Sequence, residues 1–130
     1  MILGIGTDIV AVGRIQASLE RHGERFARRI LATVEMEEFI ADKRPAHFLA
    51  KRFAAKEALV KALGTGFRNG IKFSDISVTH NNLGKPGMCY SGTTALYLQK
   101  MGVSLSHISL ADEQDYALAF VILDTDGSKA

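Results

Sequence analysis

At 130 residues the chain has the length of one domain, and a hydrophobic content of 47% gives it enough apolar side chains for a real core. A net charge of +2, with no long block of like charge, argues against a nucleic-acid binder and against general disorder. The only cysteine, Cys89, excludes an internal disulfide and suits a reducing cytosol, and the short N-terminal apolar run, broken by Asp8, is neither a signal peptide nor a membrane span.

Ile2 to Val10 reads as a strand, loosened by Gly4 and Gly6. Ile15, Leu19, His22, Phe26 and Ile30 then recur at helical spacing, with Gly23 bending or breaking the helix. Thr33 is placed to cap a short helix ending near Asp42. Pro45 suits the first turn of a long helix that runs to Leu63 and stops at Gly64 and Gly66.

Beyond Asn69-Gly70 the pattern changes to strands. Ile76 and Val78 alternate with Ser77 and Thr79, residues 81–87 form a strong turn signal, and Met88 to Tyr90 is a short strand with Cys89 expected in the core. Thr93 to Met101 reads as a helix. His107 to Ala111 and Tyr116 to Leu123 read as strands, the last apolar on both faces and so expected to be central and covered on both sides. Early helices followed by strands favour an α+β fold with helices packed on a small antiparallel sheet. Flexibility is expected in the tail, residues 125–130, beyond a domain of residues 1–124.

Charge is unevenly spread. Residues 1–72 hold 13 Lys and Arg against 8 Asp and Glu, whereas residues 73–130 hold 3 against 6. The first part is therefore the natural face for an acidic partner or a polyanion. Arg14, Arg21, Arg25 and Arg28 fall on one side of a continuous helix, with Ile15, Leu19, Phe26 and Ile30 roughly opposite. Such a row is either a solvated polar face or a bidentate binder of carboxylates and phosphates.

In the long helix, Glu57 and Lys61 share a face at i,i+4 spacing, which by itself describes a surface ion pair. Arg52 and Lys56 fall inside the apolar arc, between Phe48 and Phe53. Two cations there require an anionic ligand, an interface, or long stems that reach back to solvent. Gly4-Ile5-Gly6-Thr7-Asp8-Ile9 begins like a dinucleotide fingerprint but has Ile9 where the third glycine belongs, and Gly64-Thr65-Gly66 lacks the lysine and serine of a P-loop. Asp8 is a lone carboxylate in a strand. His107 shares a strand face with Ser109 and on pattern alone is a structural histidine.

Taken in order, Gly4-Ile5-Gly6-Thr7-Asp8-Ile9, Arg52-Phe53-Ala54-Ala55-Lys56-Glu57-Ala58 with Lys61, Gly64-Thr65-Gly66, Asn82-Leu83-Gly84-Lys85-Pro86 and His107-Ile108-Ser109 resemble the holo-acyl-carrier-protein synthase family of 4′-phosphopantetheinyl transferases. The likeness runs from Ile2 to about Leu123. After Ser109 the chain continues Leu110-Ala111-Asp112-Glu113 where many members have a Ser-His-Thr type segment, so a second histidine there has no counterpart.

The resemblance implies transfer of the phosphopantetheine arm of coenzyme A to a serine of an apo-acyl carrier protein, with release of 3′,5′-ADP, in the cytoplasm and for fatty acid biosynthesis. It implies Mg²⁺ held by Asp8 and Glu57, with Asp8, Glu57 and Lys61 catalytic. Arg52, Lys61, Gly64, Gly66, Lys85, Pro86 and His107, with Lys56, would meet coenzyme A. Arg14, Arg21, Arg25 and Arg28, with Phe26 beside them, would dock the carrier. The family is typically a homotrimer with sites between subunits. The competing readings are a non-catalytic module using the arginine row, which predicts salt-sensitive binding without magnesium dependence, and a coenzyme A binder without chemistry, which the presence of Asp8, Glu57 and Lys61 disfavours.

Overall fold

The structure, a computed structural model, describes residues 1–126. In chain order it comprises β1 (Ile2–Ala11), α1 (Val12–His22), α2 (Glu24–Ile30), α3 (Thr33–Ala41), α4 (Pro45–Leu63), a 3-10 turn (Phe73–Asp75), β2 (Ile76–His80), β3 (Pro86–Tyr90), α5 (Gly92–Lys100), β4 (Leu105–Asp112) and β5 (Tyr116–Asp124). The strands form an antiparallel three-stranded sheet, β1-β5-β4, and a separate antiparallel pair, β2-β3. This is the expected α+β architecture, and β5 is the central strand of its sheet. No helix among the described residues is long and apolar enough to cross a membrane.

Helix α4 is the axis of the molecule. Pro45 opens it, and Gly64 closes it with φ 78°, donating its N–H to the carbonyls of Val60 and Lys61. It packs on β1 and β5 on one side and meets α1, α2, α3 and β2 elsewhere. A helix so enclosed is buried nearly all round, and its Ala50, Ala54, Ala55 and Ala58 are fully buried. The contact with β1 is unusually close. A Cβ on Gly6 would overlap the carbonyl oxygen of Ala58 and approach the Ala62 nitrogen to 2.6 Å, and a Cβ on Gly4 would overlap the Ala62 carbonyl. The two glycines therefore serve as seats for helix backbone, a use the strand pattern did not reveal.

Gly23, at φ 61°, divides the arginine-bearing segment into two helices, the break expected of it, so the row spans two cylinders. Other expectations are corrected. Thr33 is the first residue of α3 rather than its cap; Ala32 is the cap residue, and its N–H donates to Glu35 Oε1 at 2.9 Å. Cys89 is exposed on β3, not in the core. Thr125 and Asp126, expected in a flexible tail, are tied down: the Thr125 N–H donates to the Met1 carbonyl and the Asp126 N–H to Ser104 Oγ. The rest of that tail, residues 127–130, lies outside the described residues.

The central strand is not covered on both sides. Ala117, Ala119, Val121 and Leu123 of β5 are buried against α4, but Tyr116 and Leu118 on the opposite face are exposed. The register extends this open face across the sheet: Ile5 and His107 flank Ile122, Thr7 and Ser109 flank Phe120, and Ile9 and Ala111 flank Leu118. Ile5 and Ile9 are 60% and 62% exposed. The apolar sequence of β5 implied cover on both faces, and the chain covers only one.

Candidate active site

Strand alternation directs Gly4, Gly6, Asp8 and Val10 toward α4. Ala58 and Ala62 rest on the glycines, so the residues just before them, Glu57 and Lys61, lie about 100° round the helix. That flank is where Asp8 meets the helix: Lys61 Nζ donates to Asp8 Oδ1 at 2.9 Å, joining residues 53 positions apart. The Asp8 side chain is 14% exposed and that of Lys61 53%. Lys61 thus reaches across to the strand carboxylate, beyond the local helix pair with Glu57 that i,i+4 spacing offers.

Glu57 is half-buried, and its carboxyl is held above the ordinary carboxylate range. Burial is the largest cause, and the negative field of Asp8 adds to it; Lys61 and Arg14 oppose the shift. Arg14 of α1 also lies over the Phe53 ring, its guanidinium carbon 6.0 Å from the centroid. Phe53 stacks on Phe73, and Phe73 on Phe67, at 5.7 and 3.8 Å between centroids, tying the loop after α4 back to the helix.

The donor chemistry suits a hard divalent cation. Two carboxylates repel one another across a partly dry gap, and a cation there would relieve both repulsion and desolvation. Among the described residues no group of three or more His, Cys, Asp or Glu side chains converges to hold a metal. Asp8 and Glu57 therefore suit Mg²⁺, which keeps waters and takes substrate phosphate oxygens, better than an ion that needs a full protein cage.

Glu57 also carries a stability prediction. Because its pKa is raised on folding, the folded state binds more protons than the unfolded chain as pH rises out of the ordinary carboxylate range. The associated stability is present below that range and is lost as pH rises through the elevated folded value. Glu57→Gln should therefore melt higher than wild type at neutral pH without metal, by up to a few degrees, with the gap closing in acid; melting curves across pH check this.

The remaining candidates are dispersed. Gly64 and Gly66, with φ of 78° and 66°, form the loop at the C-terminus of α4, next along the chain from Lys61. Lys85 is exposed in the turn between β2 and β3, where its N–H donates to Asn81 Oδ1, and Pro86 begins β3. His107 points from the open face of the sheet, opposite the face that carries Asp8, so within one chain the two do not join. Phe26 is partly buried against the core. Arg28 is exposed and pairs with Glu24 at 3.2 Å, Arg25 is exposed, and Arg14 and Arg21 line a shallow groove on α1 with Ala17 and Ser18.

Arg52 is a correction. Its side chain is 4% exposed, its Nε lies 3.4 Å from Glu35, and its guanidinium lies 4.3 Å from the Phe48 centroid, so it is not presented to a soluble ligand. The anion demanded by Arg52 and Lys56 is internal: Glu35, itself fully buried. Sequence reasoning missed it. The available signal was two unpaired cations on a core-facing arc, which called for a buried carboxylate elsewhere in the chain.

A family model described as the 4′-phosphopantetheinyl transferase superfamily matches residues 4–121. The holo-[acyl-carrier-protein] synthase of Halorhodospira halophila is 54% identical over 125 residues, covering 96% of this chain and 99% of that one. The crystal structure of the holo-[acyl-carrier-protein] synthase from Neisseria meningitidis superposes with a TM-score of 0.92 at 45% identity, over 96% of this chain and 100% of that one. The Bacillus anthracis holo-(acyl-carrier-protein) synthase, solved in complex with coenzyme A (3′,5′-ADP), superposes at 0.82 with 35% identity, over 97% and 99%. This chain belongs to the 4′-phosphopantetheinyl transferase superfamily and, within it, to the holo-[acyl-carrier-protein] synthases.

Proposed function

We propose that this chain transfers the 4′-phosphopantetheine group of coenzyme A to a serine of apo-acyl carrier protein, releasing 3′,5′-ADP, and that Asp8, Glu57 and Lys61 are the groups that carry the reaction. The meeting of Asp8 with Lys61 beside the half-buried Glu57 is the observation on which the site assignment rests. The serine Oγ bonds to the β-phosphorus as the bond from that phosphorus to the bridging oxygen breaks, and the bridging oxygen leaves with the ADP. Glu57 accepts the serine proton. Lys61, half-exposed, turns its ammonium from Asp8 to the pyrophosphate and stabilises charge on the departing oxygen. Asp8 and Glu57 would hold Mg²⁺, which when bound offsets the charge of both phosphates. The Gly64 to Gly66 loop, with Lys85, Pro86 and His107, meets the rest of coenzyme A, and the reaction belongs to the cytoplasm. The test is to mix protein, apo-carrier, coenzyme A and Mg²⁺ and weigh the carrier: a mass gain of one phosphopantetheine, abolished by EDTA, supports the proposal, and an unmodified carrier at saturation contradicts it.

The exposed apolar face of the sheet supports a homotrimer with sites between subunits. Ile5, Ile9 and Leu118 there form a broad patch of the kind a lone protein rarely leaves open. His107 sits on that face, which allows it to serve a neighbouring subunit's site. Ile5→Lys combined with Ile9→Lys should give a monomer without transferase activity; light scattering of wild type and variant checks this, and a monomeric, active wild type would contradict it.

The arginines of α1 and α2 dock the acidic carrier. Arg14 has a second role, because its charge also acts on Glu57. Arg21, on the same groove and without that field effect among the causes at Glu57, is the cleaner test. Arg21→Glu should raise the carrier KM by about tenfold while leaving the coenzyme A KM unchanged; steady-state kinetics with each substrate varied separately decide it.

A further inference from the structure

Among the described residues the fold buries two cations, Arg52 and Lys56, against one carboxylate, Glu35. Glu35 faces both Arg52, at 3.4 Å, and Lys56, at 2.6 Å, and Glu38, the other carboxylate paired with Arg52, is half-exposed. Glu35 is already fully engaged: Oε1 accepts from the Ala32 N–H and from Lys56, and Oε2 accepts from the Val78 N–H. Burial lowers the proton affinity of both cations, with Glu35 opposing it. A core shaped for stability alone is served by one cation per buried carboxylate, because each further desolvated charge is costly.

Lys56 spends its three protons in a distinctive way. Nζ, at 0% exposure, donates to Glu35 Oε1 of α3 at 2.6 Å, to the Ile30 carbonyl at the end of α2 at 2.6 Å, and to the Phe73 carbonyl of the 3-10 turn at 3.1 Å. One side chain of α4 is thereby pinned to three separate elements. The next residue is Glu57. On the strand side, Gly4 and Gly6 fix how closely α4 approaches β1, but a smooth seat of glycines does little to stop the helix turning about its own axis. The Lys56 ammonium adds three fixed points, on α2, α3 and the 3-10 turn.

We propose that Lys56, locked by Glu35, is a positioning residue: it sets the rotation of α4 and so aims Glu57 at Asp8. This rests on the transferase reading above and adds to it a part of the machinery that touches no substrate. A group displaced by about 1 Å from its working position costs on the order of 10²-fold in rate, so a loosened helix reads out in the chemical step.

The experiment compares wild type, Lys56→Met and Lys56→Arg. Lys56→Met keeps much of the packing and leaves Glu35 paired with Arg52. Lys56→Arg keeps the charge but moves the donors. Both variants are expected to stay folded by circular dichroism, to keep both KM values within about twofold, and to lose 10- to 100-fold in kcat. Both should also show a smaller rise in melting temperature on adding Mg²⁺ than wild type does, a readout independent of turnover. A lower melting temperature with wild-type kcat and a wild-type Mg²⁺ response would make the clamp merely structural and overturn the proposal. If Lys56→Met does not fold, Lys56→Arg decides by the same two measurements. If the wild type itself neither modifies a carrier nor responds to Mg²⁺, it is the transferase reading that fails.

Discussion

Gly6→Ala is expected to abolish transfer and to leave the protein largely unfolded at assay temperature. The added methyl group would overlap the Ala58 carbonyl oxygen and press on the Ala62 nitrogen. Ordinary overpacking in a core costs about 1–3 kcal/mol because side chains give way. Here the methyl is fixed directly to the backbone of a paired strand and meets the main chain of a helix buried nearly all round, and neither backbone yields without breaking hydrogen bonds. Relief requires α4 to lift from β1, which strips apolar surface from Ala117, Ala119 and Val121 beneath it and parts Asp8 from Lys61. Circular dichroism and thermal melting check the prediction. A folded Gly6→Ala protein with a wild-type melting temperature would show that the strand and helix are not seated as described.

The second large effect concerns chemistry without loss of fold. Glu57→Gln keeps the shape of the side chain but can neither accept the serine proton nor offer a full negative charge to a cation. Transfer should fall by about 10³-fold, within the 10²–10⁴ range of positioned acid–base groups. Because the charged form of Glu57 is disfavoured by burial and by Asp8, the same change should make the metal-free protein more stable at neutral pH. Loss of turnover with gain of stability marks a residue held at a cost for function. Loss of both would return Glu57 to a structural role. Rate measurements and melts on one preparation separate the two.

Much of this could be read from the chain. The long helix between Pro45 and Gly64 was legible because a first-turn proline and a stop glycine bracket strong helix formers. The apolar pattern of β5 correctly marked a central strand. The candidate pair Asp8 and Glu57 came from ordered motifs and the family resemblance, and the fold then supplied their common neighbourhood through Lys61. What stayed hidden depends on contacts between distant segments. Nothing local marks Glu35 as the partner of Lys56, 21 residues away. Gly4 and Gly6 read as weak strand residues because their purpose lies in the helix above them. The break at Gly23 was legible, but not the direction in which the second half of the arginine row would then point. The family resemblance assigned Arg52 to coenzyme A, but the chain's own carboxylate, Glu35, meets its charge.

Asp8 and Glu57, contributed by a strand and a helix, are expected to act as one unit on the transferred phosphate. A double-mutant cycle in single-turnover transfer tests it directly, with carrier mass as the readout for wild type, Asp8→Asn, Glu57→Gln and the double variant at saturating coenzyme A and Mg²⁺. Groups that act together lose their effect together, so the double variant should be no slower than the slower single variant by more than a few-fold. Penalties that multiply in full, or a single variant that transfers at the wild-type rate, would show that the two carboxylates do not act together.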